Sequence, residues 1–165
     1  SPKQRRQKMK KWHTLVTELE KEDALLLPRI TGATLQDLVY NNYATYEEEN
    51  GEIIAFGALW ETPDPHWREL GTLWVNHIHR GKGLSSKVFS TLMKNNVNKL
   101  MLITHNKKVV KQVEKFNWAK ATISTWNIVP WCATCKPCDR VQEAQKTMCP
   151  FRAVDNECQL WLFIP

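Results

Sequence analysis

Apolar residues recur along this chain in two rhythms, and the switches between them mark out its elements. Trp12, Leu15, Val16 and Leu19 lie at helical spacing within Lys3 to Leu27, a stretch rich in helix formers behind a basic lead, which predicts an amphipathic helix. After Pro28 and a glycine, Thr34 is the expected N-cap of a short helix within Thr31 to Tyr40, carrying Leu35, Leu38 and Val39. The rhythm then shortens. Tyr43 to Glu48 reads as a strand, Asn50-Gly51 as a hairpin turn and Glu52 to Glu61 as a second strand. Pro63 and Pro65 close that strand, and Glu69 to His77 makes a third. Helical spacing returns in Leu84 to Asn95, with Leu84, Val88, Leu92 and Met93 on one stripe. Leu100 to Thr104 is a short buried strand, and Lys107 to Phe116 a helix with Val109, Val110 and Val113 inward and lysines outward. Lys120 to Trp126 and Gln159 to Ile164 are the last strands, separated by a cysteine-bearing loop.

This order predicts an α/β protein with a mixed, mostly antiparallel central sheet flanked by helices. A doubly wound fold is disfavoured because the first three strands can pair by hairpins. With 165 residues, 42% of them hydrophobic, the chain is long enough for one core and short for two. A single domain over 1–165 is expected, with a basic N-terminal helix at about 3–27 and a cysteine-rich insertion at about 127–158 before the last strand. There is no apolar run near 18 residues and no secretory leader pattern, so a cytoplasmic protein without a membrane partner is expected.

The stretch Val75 to Phe89 carries the most chemistry. An apolar strand runs through Arg80-Gly81-Lys82-Gly83-Leu84-Ser85 into the Leu84 helix. Glycines at 81 and 83 let an anion approach the backbone, whose N–H groups and following helix terminus point toward it. The spacing is neither a dinucleotide fingerprint nor a Walker loop. RGKGLS resembles the pyrophosphate-binding motif Q/R-x-x-G-x-G/A of the GNAT family of N-acetyltransferases, with Arg80 first, Gly83 fourth and the small Ser85 sixth. LWVNHIHRGKG resembles the family's V-x-P-x-Y-R-G-x-G, with His77 in place of proline and His79 in place of an aromatic. The predicted element order is also the one this family would supply, over about Thr31 to Trp126 and the last strand.

The resemblance implies acetyl transfer from acetyl-CoA to a primary amine, with coenzyme A held by Arg80, Gly81, Lys82, Gly83, Leu84 and Ser85. It implies that Leu73, Trp74 and Val75, on a strand splayed from its neighbour, offer the pantetheine arm an edge and the thioester a backbone N–H. An alkylammonium with a pKa of about 10.4 needs a base before it can attack at neutral pH. Glu69, eleven residues before Arg80, stands at the spacing of the catalytic glutamate of some family members. A solvated strand-edge carboxylate is the competing reading of that position. Glu61 is the second candidate base and His77 the third. In an extended segment His77 and His79 would share one face, which also admits a metal pair. The family's tyrosine acid, in Y-E-K-x-G-F, is matched here by Val113-Glu-Lys-Phe-Asn-Trp118, so valine replaces the proton donor. Asn117 replaces the C-cap glycine and suits a left-handed residue. His105 and Asn106 lie in the region the family uses.

Cys132, Cys135, Cys138, Cys149 and Cys158 fall outside the family pattern. Two overlapping C-x2-C units are compatible with a zinc knuckle, and equally with free thiols or one disulfide. A metal there would brace a long loop, flanked by Trp126 and Trp131, which the resemblance implies would border the acceptor site and shape acceptor choice. The net charge of +6, with cations gathered in Lys3 to Lys11 and Lys107 to Lys115, suits a phosphate-rich cofactor. Together with eight tryptophans and the cysteine loop it also fits a basic nucleic-acid-binding module, or an acyltransferase with a nucleic-acid-bound acceptor. A protein that binds coenzyme A without efficient turnover is the remaining alternative, raised by Val113.

Overall fold

The computed structural model describes residues 1–22, 31–104, 106–121 and 159–165. Among the described residues, six strands hydrogen-bond in the order β1-β2-β3-β4-β6-β5, a mixed sheet flanked by helices, as the sequence predicts. Two compact units share the chain: Ser1–Leu59 with Gly71–Asn96, and Trp60–Leu70 with Val97–Pro165.

In the first unit, α1 spans Pro2–Glu20 and buries Trp12, Leu15 and Leu19 at three- and four-residue spacing, the stripe seen in the sequence. It ends at Glu20 with Lys21 as C-cap, short of the predicted Leu27. Helix α2 spans Gly32–Tyr40, and its N-cap is Thr31 rather than Thr34. The Thr31 hydroxyl accepts the Thr34 N–H at 3.1 Å, so the residue expected to cap is the one that is capped. Strands β1 (Ala44–Glu49) and β2 (Glu52–Glu61) form the predicted antiparallel hairpin. Asn50 and Gly51 turn it with φ of 51° and 78°, the two left-handed positions that a type I′ turn requires. Burial is unbroken from Ile53 to Leu59 of β2, as expected for a strand covered on both faces.

Helix α3 (Leu84–Lys94) turns Val88, Phe89 and Leu92 inward. A Cβ at Gly57 of β2 would lie 2.7 Å from Val88 Cγ1 and 3.1 Å from both Leu73 Cδ1 and Leu92 Cδ1. Helix and strand approach this closely only because position 57 has no side chain.

In the second unit, the start of β3 (Trp67–Val75) pairs in parallel with β4 (Lys99–Thr104), Trp67 to Glu69 opposite Lys99 to Met101. Strand β4 pairs antiparallel with β6 (Gln159–Phe163), which takes β5 (Ala119–Lys120) on its other side. Trp67, Met101 and Leu160 form a core cluster that Ile103, Ala121 and Leu162 surround. Helix α4 (Lys107–Lys115) stops in a Schellman motif: the Trp118 N–H donates to Val113 O at 2.9 Å and the Asn117 N–H to Glu114 O at 3.1 Å, with Asn117 at φ 61°. Asn117 therefore fills the left-handed C-cap role expected from the sequence. Strand β3 ends at Val75, so His77 lies beyond it, contrary to the predicted span. Of the predicted strand from Lys120 to Trp126, residues 122–126 lie outside the described residues. No described helix is long and apolar enough to cross a membrane.

Gly57→Ala drives a methyl into the buried Val88 and is expected to lower stability by about 1–3 kcal/mol. Urea denaturation should show a lower midpoint at unchanged slope.

Candidate active site

Strand β3 delivers the chain to a tight turn. The Asn76 N–H donates to Ile54 O at 2.8 Å, prolonging the sheet by one bond, and Asn76 Oδ1 accepts the Ile78 N–H at 3.1 Å. That second bond starts a 3-10 turn over His77–His79, where the sequence predicts extended chain. With about three residues per turn, positions two apart point away from each other, so His77 and His79 do not share a face. His77 is exposed, while His79 Nδ1 lies 3.3 Å from Glu49 Oε2.

Next come Gly81 and Gly83, at φ of 81° and 77°. A Cβ on either would meet nothing within 4 Å, so backbone conformation reserves both positions for glycine, and the space before the turn is open. Gly83 is the N-cap of α3 and supplies no side-chain cap. The Lys87 N–H donates to Gly83 O at 3.1 Å as the first helical bond, and the amides before it face outward from the positive end of the helix. An uncapped helix start behind two left-handed glycines, with open space before it, fits a diphosphate.

Arg80 and Lys87, beside this turn, are engaged. Arg80 Nε donates to Val75 O at 3.1 Å, and its Nη2 donates to Glu22 Oε1 at 3.2 Å. Lys87 Nζ donates to Glu47 Oε2 at 3.1 Å. Glu22, Glu47 and Glu49 are thus parts of the site that sequence reading missed. They lie far from the glycine turn in sequence, and only the acidic run Glu47 to Glu49 could have hinted at them. Leu73 packs its side chain toward Gly57, and Trp74 is buried, so this segment has its main chain to offer a ligand.

Thr72, just before, is a second omission. It is a β-branched residue at φ 53°, 4% exposed, in the middle of a strand. Burial alternates from Trp67 to Glu69, slips by one at Leu70, and alternates again through Thr72 and Trp74. A slip of phase with a left-handed residue is the mark of a bulge, which bends a strand and re-aims the side chains beyond it.

Glu69 belongs to the second unit and is 2% exposed. The strand-edge reading of this carboxylate is therefore wrong, because β3 is interior and Glu69 pairs in register with Met101. A carboxylate withdrawn from water this far is kept against a desolvation penalty. Glu61, whose side chain is 85% exposed, lies 4.0 Å from Arg68 Nη2. Val113 is fully buried and serves packing. Asn106 caps α4, its Oδ1 accepting the Lys108 N–H at 2.9 Å, while its own N–H donates to Thr104 Oγ1 at 3.0 Å. His105 and the five cysteines, Cys132, Cys135, Cys138, Cys149 and Cys158, lie outside the described residues. Among the described residues, no group of three or more His, Cys, Asp or Glu could hold a metal ion.

A mixed sheet that hands its chain through paired left-handed glycines to an uncapped helix defines an α/β protein with an open glycine turn at a helix start. The sequence model of the acetyltransferase (GNAT) family matches residues 9–116, and the chain belongs to that family. No curated protein matches it in sequence. Among solved structures it resembles N-acetylglutamate synthase from Neisseria gonorrhoeae complexed with coenzyme A and N-acetyl-glutamate, at TM-score 0.56 and 13% identity over 92% of this chain and 31% of that one. Arabidopsis thaliana Naa50 in complex with the bisubstrate analogue CoA-Ac-MVNAL matches at TM-score 0.53 and 14% identity over 92% of both chains. Diaminobutyrate acetyltransferase EctA from Paenibacillus lautus, in complex with L-2,4-diaminobutyric acid and coenzyme A, matches at TM-score 0.53 and 14% identity over 91% of this chain and 87% of that one. The chain spans about a third of the length of the Neisseria protein. At these identities the likeness is one of fold.

Because Glu22 holds the Arg80 guanidinium, Glu22→Gln should free it for a phosphate. Isothermal titration is expected to show coenzyme A binding tightened about two- to fivefold, the range of one half-exposed ion pair.

Proposed function

We propose that this protein moves an acetyl group from acetyl-CoA to a primary amine by direct attack in a ternary complex. The observation that carries this reading is the cradle, Arg80 to Ser85, with glycines 81 and 83 left-handed before the uncapped start of α3. Acetyl-CoA supplies an activated acyl carbon and a thiolate leaving group. The protein's own part is to hold the diphosphate on the cradle amides and on Arg80 and Lys82, and to offer main-chain N–H groups of Leu73 to Asn76 to the thioester carbonyl. Glu69 takes a proton from the ammonium, directly or through water, so that the amine nitrogen can form the new C–N bond as the C–S bond breaks. Its burial on the strand that leads to the cradle supports this role. His77, exposed in its turn, is the weaker base candidate. The neighbours that carry an amino acid or a peptide analogue support an acceptor of that class here.

Val113 favours a second reading, a protein that binds coenzyme A with little turnover, because valine has no proton for the departing thiolate. One set of measurements separates the two. Coenzyme A at about 100 times its dissociation constant should stabilise the protein by about 2.7 kcal/mol, read as a raised melting temperature. Gly83→Val should abolish that shift. Glu69→Gln should keep the shift while lowering kcat and removing the acidic limb of its pH profile. Binding without acetyl transfer to any amino acid or peptide amine would leave the second reading standing.

A further inference from the structure

The helix α1 extends past the core that anchors it. Leu19, Leu15 and Trp12 form its buried stripe, and the same spacing carried toward the N-terminus reaches Lys8 and then Arg5, both exposed. Every residue from 1 to 8 is exposed. Beneath this overhang lies an open cleft of about 640 Å³, with Gln4, Gln7 and Lys8 on the helix side and Glu48, Asn50, Gly51 and Glu52 of the hairpin opposite, so the cationic face presented to a partner is the one turned away from the hairpin. The overhang is therefore accessible around its circumference. It also precedes residue 9, where the match to the acetyltransferase family begins, so the family fold does not require it.

Its charge is one-sided. Lys3, Arg5, Arg6, Lys8, Lys10 and Lys11 precede the first acidic residue, Glu18. Lys11 is held by Glu48 at 3.0 Å and Tyr46 at 3.3 Å, and the hydrogen bonds that tie α1 to the hairpin among the described residues run through this lysine. Cations in the first turns oppose the helix dipole, and Arg5 with Lys8, and Arg6 with Lys10, stand at spacings where like charges repel. A polyanion would relieve both penalties. We propose that the N-terminal half of α1 is a docking surface for the phosphate backbone of a nucleic acid. Lys3 and Lys10 lie on one side of the helix and Arg5 and Lys8 on another, an arrangement suited to phosphates flanking the helix on both sides, as along a groove. Gln7 between them can donate and accept at base edges, while the Gln4 Oε1 accepts from the Ser1 amino group at 3.2 Å in the capping box of α1. A membrane surface fits poorly, because residues 3–8 contain no aliphatic or aromatic side chain to enter it.

Fluorescence anisotropy with the full chain tests this, using a mixed-sequence DNA duplex, the matching RNA duplex and a single-stranded RNA. The three probes show which form binds, and tight binding of any one supports the proposal. If four cations each neutralise one duplex phosphate, affinity should fall about 150-fold between about 50 and 200 mM salt. Replacing Lys3, Arg5, Arg6 and Lys8 together by glutamine, a good helix former, should reduce that fall to about fourfold or less and weaken binding at least about tenfold at low salt. Exchanging the same lysines and arginines for one another should preserve binding, and an unchanged urea midpoint shows that the variants fold. No binding at about 50 mM salt, binding untouched by the glutamine variant, or equal affinity for poly-glutamate or phosphatidylserine vesicles would overturn the proposal. The readout is binding alone, so it stands or falls apart from acetyl transfer.

Discussion

The depth at which α3 seats on strand β2 governs the cradle. Glycine at 57 leaves room that Val88, Leu92 and Leu73 fill, and this contact places the N-terminus of α3. Helix-start amides attract an anion only where they are held still, and side chains packed at interior density hold them. The left-handed glycines then turn the chain from β3 into that helix without a side chain to obstruct the opening. The geometry of this glycine turn is thus a consequence of core packing as much as of its own motif.

Electrostatics supplies the second support. Strand β1 ends in three consecutive glutamates, and each meets a basic side chain on a different element: Glu47 with Lys87 of α3, Glu48 with Lys11 of α1, and Glu49 with the His79 imidazole in the turn. Alternation along a strand, with a register shift between Glu47 and Glu48, sends neighbouring side chains in different directions. Pairs of this kind contribute little stability singly, and their effect here is to position elements. Lys11 shows the balance. Burial works against its charge, but hydrogen bonds from its ammonium to Glu48 and Tyr46 outweigh that and raise its pKa above the ordinary lysine value. Its ammonium lies 5.0 Å from the Tyr46 ring centroid, and Tyr46 meets Trp12 edge to face at 5.1 Å.

The parts of the site legible in the sequence were those encoded by residues close together. RGKGLS between a strand and a helix disclosed the cradle because left-handed turns and helix starts are local properties with strong residue preferences. The hairpin at Asn50-Gly51 and the C-cap at Asn117 were legible for the same reason. Thr72 was not. With Gly71 beside it, local preference would put the left-handed residue on glycine, yet burial on both sides of the slip puts it on threonine. The His77–His79 turn was hidden because two histidines around an isoleucine read as extended chain until Asn76 folds them over.

By itself the sequence determined the order of elements, the mixed sheet, the glycine cradle and, through that motif, the acetyltransferase family. These come from periodicity and local backbone preference, which neighbouring residues carry. Only the tertiary structure decided that Glu69 is buried, that Glu22 holds Arg80, and that the basic stripe of α1 runs clear of its core. Burial and charge pairing depend on which distant segments meet, and no local window of sequence contains that information.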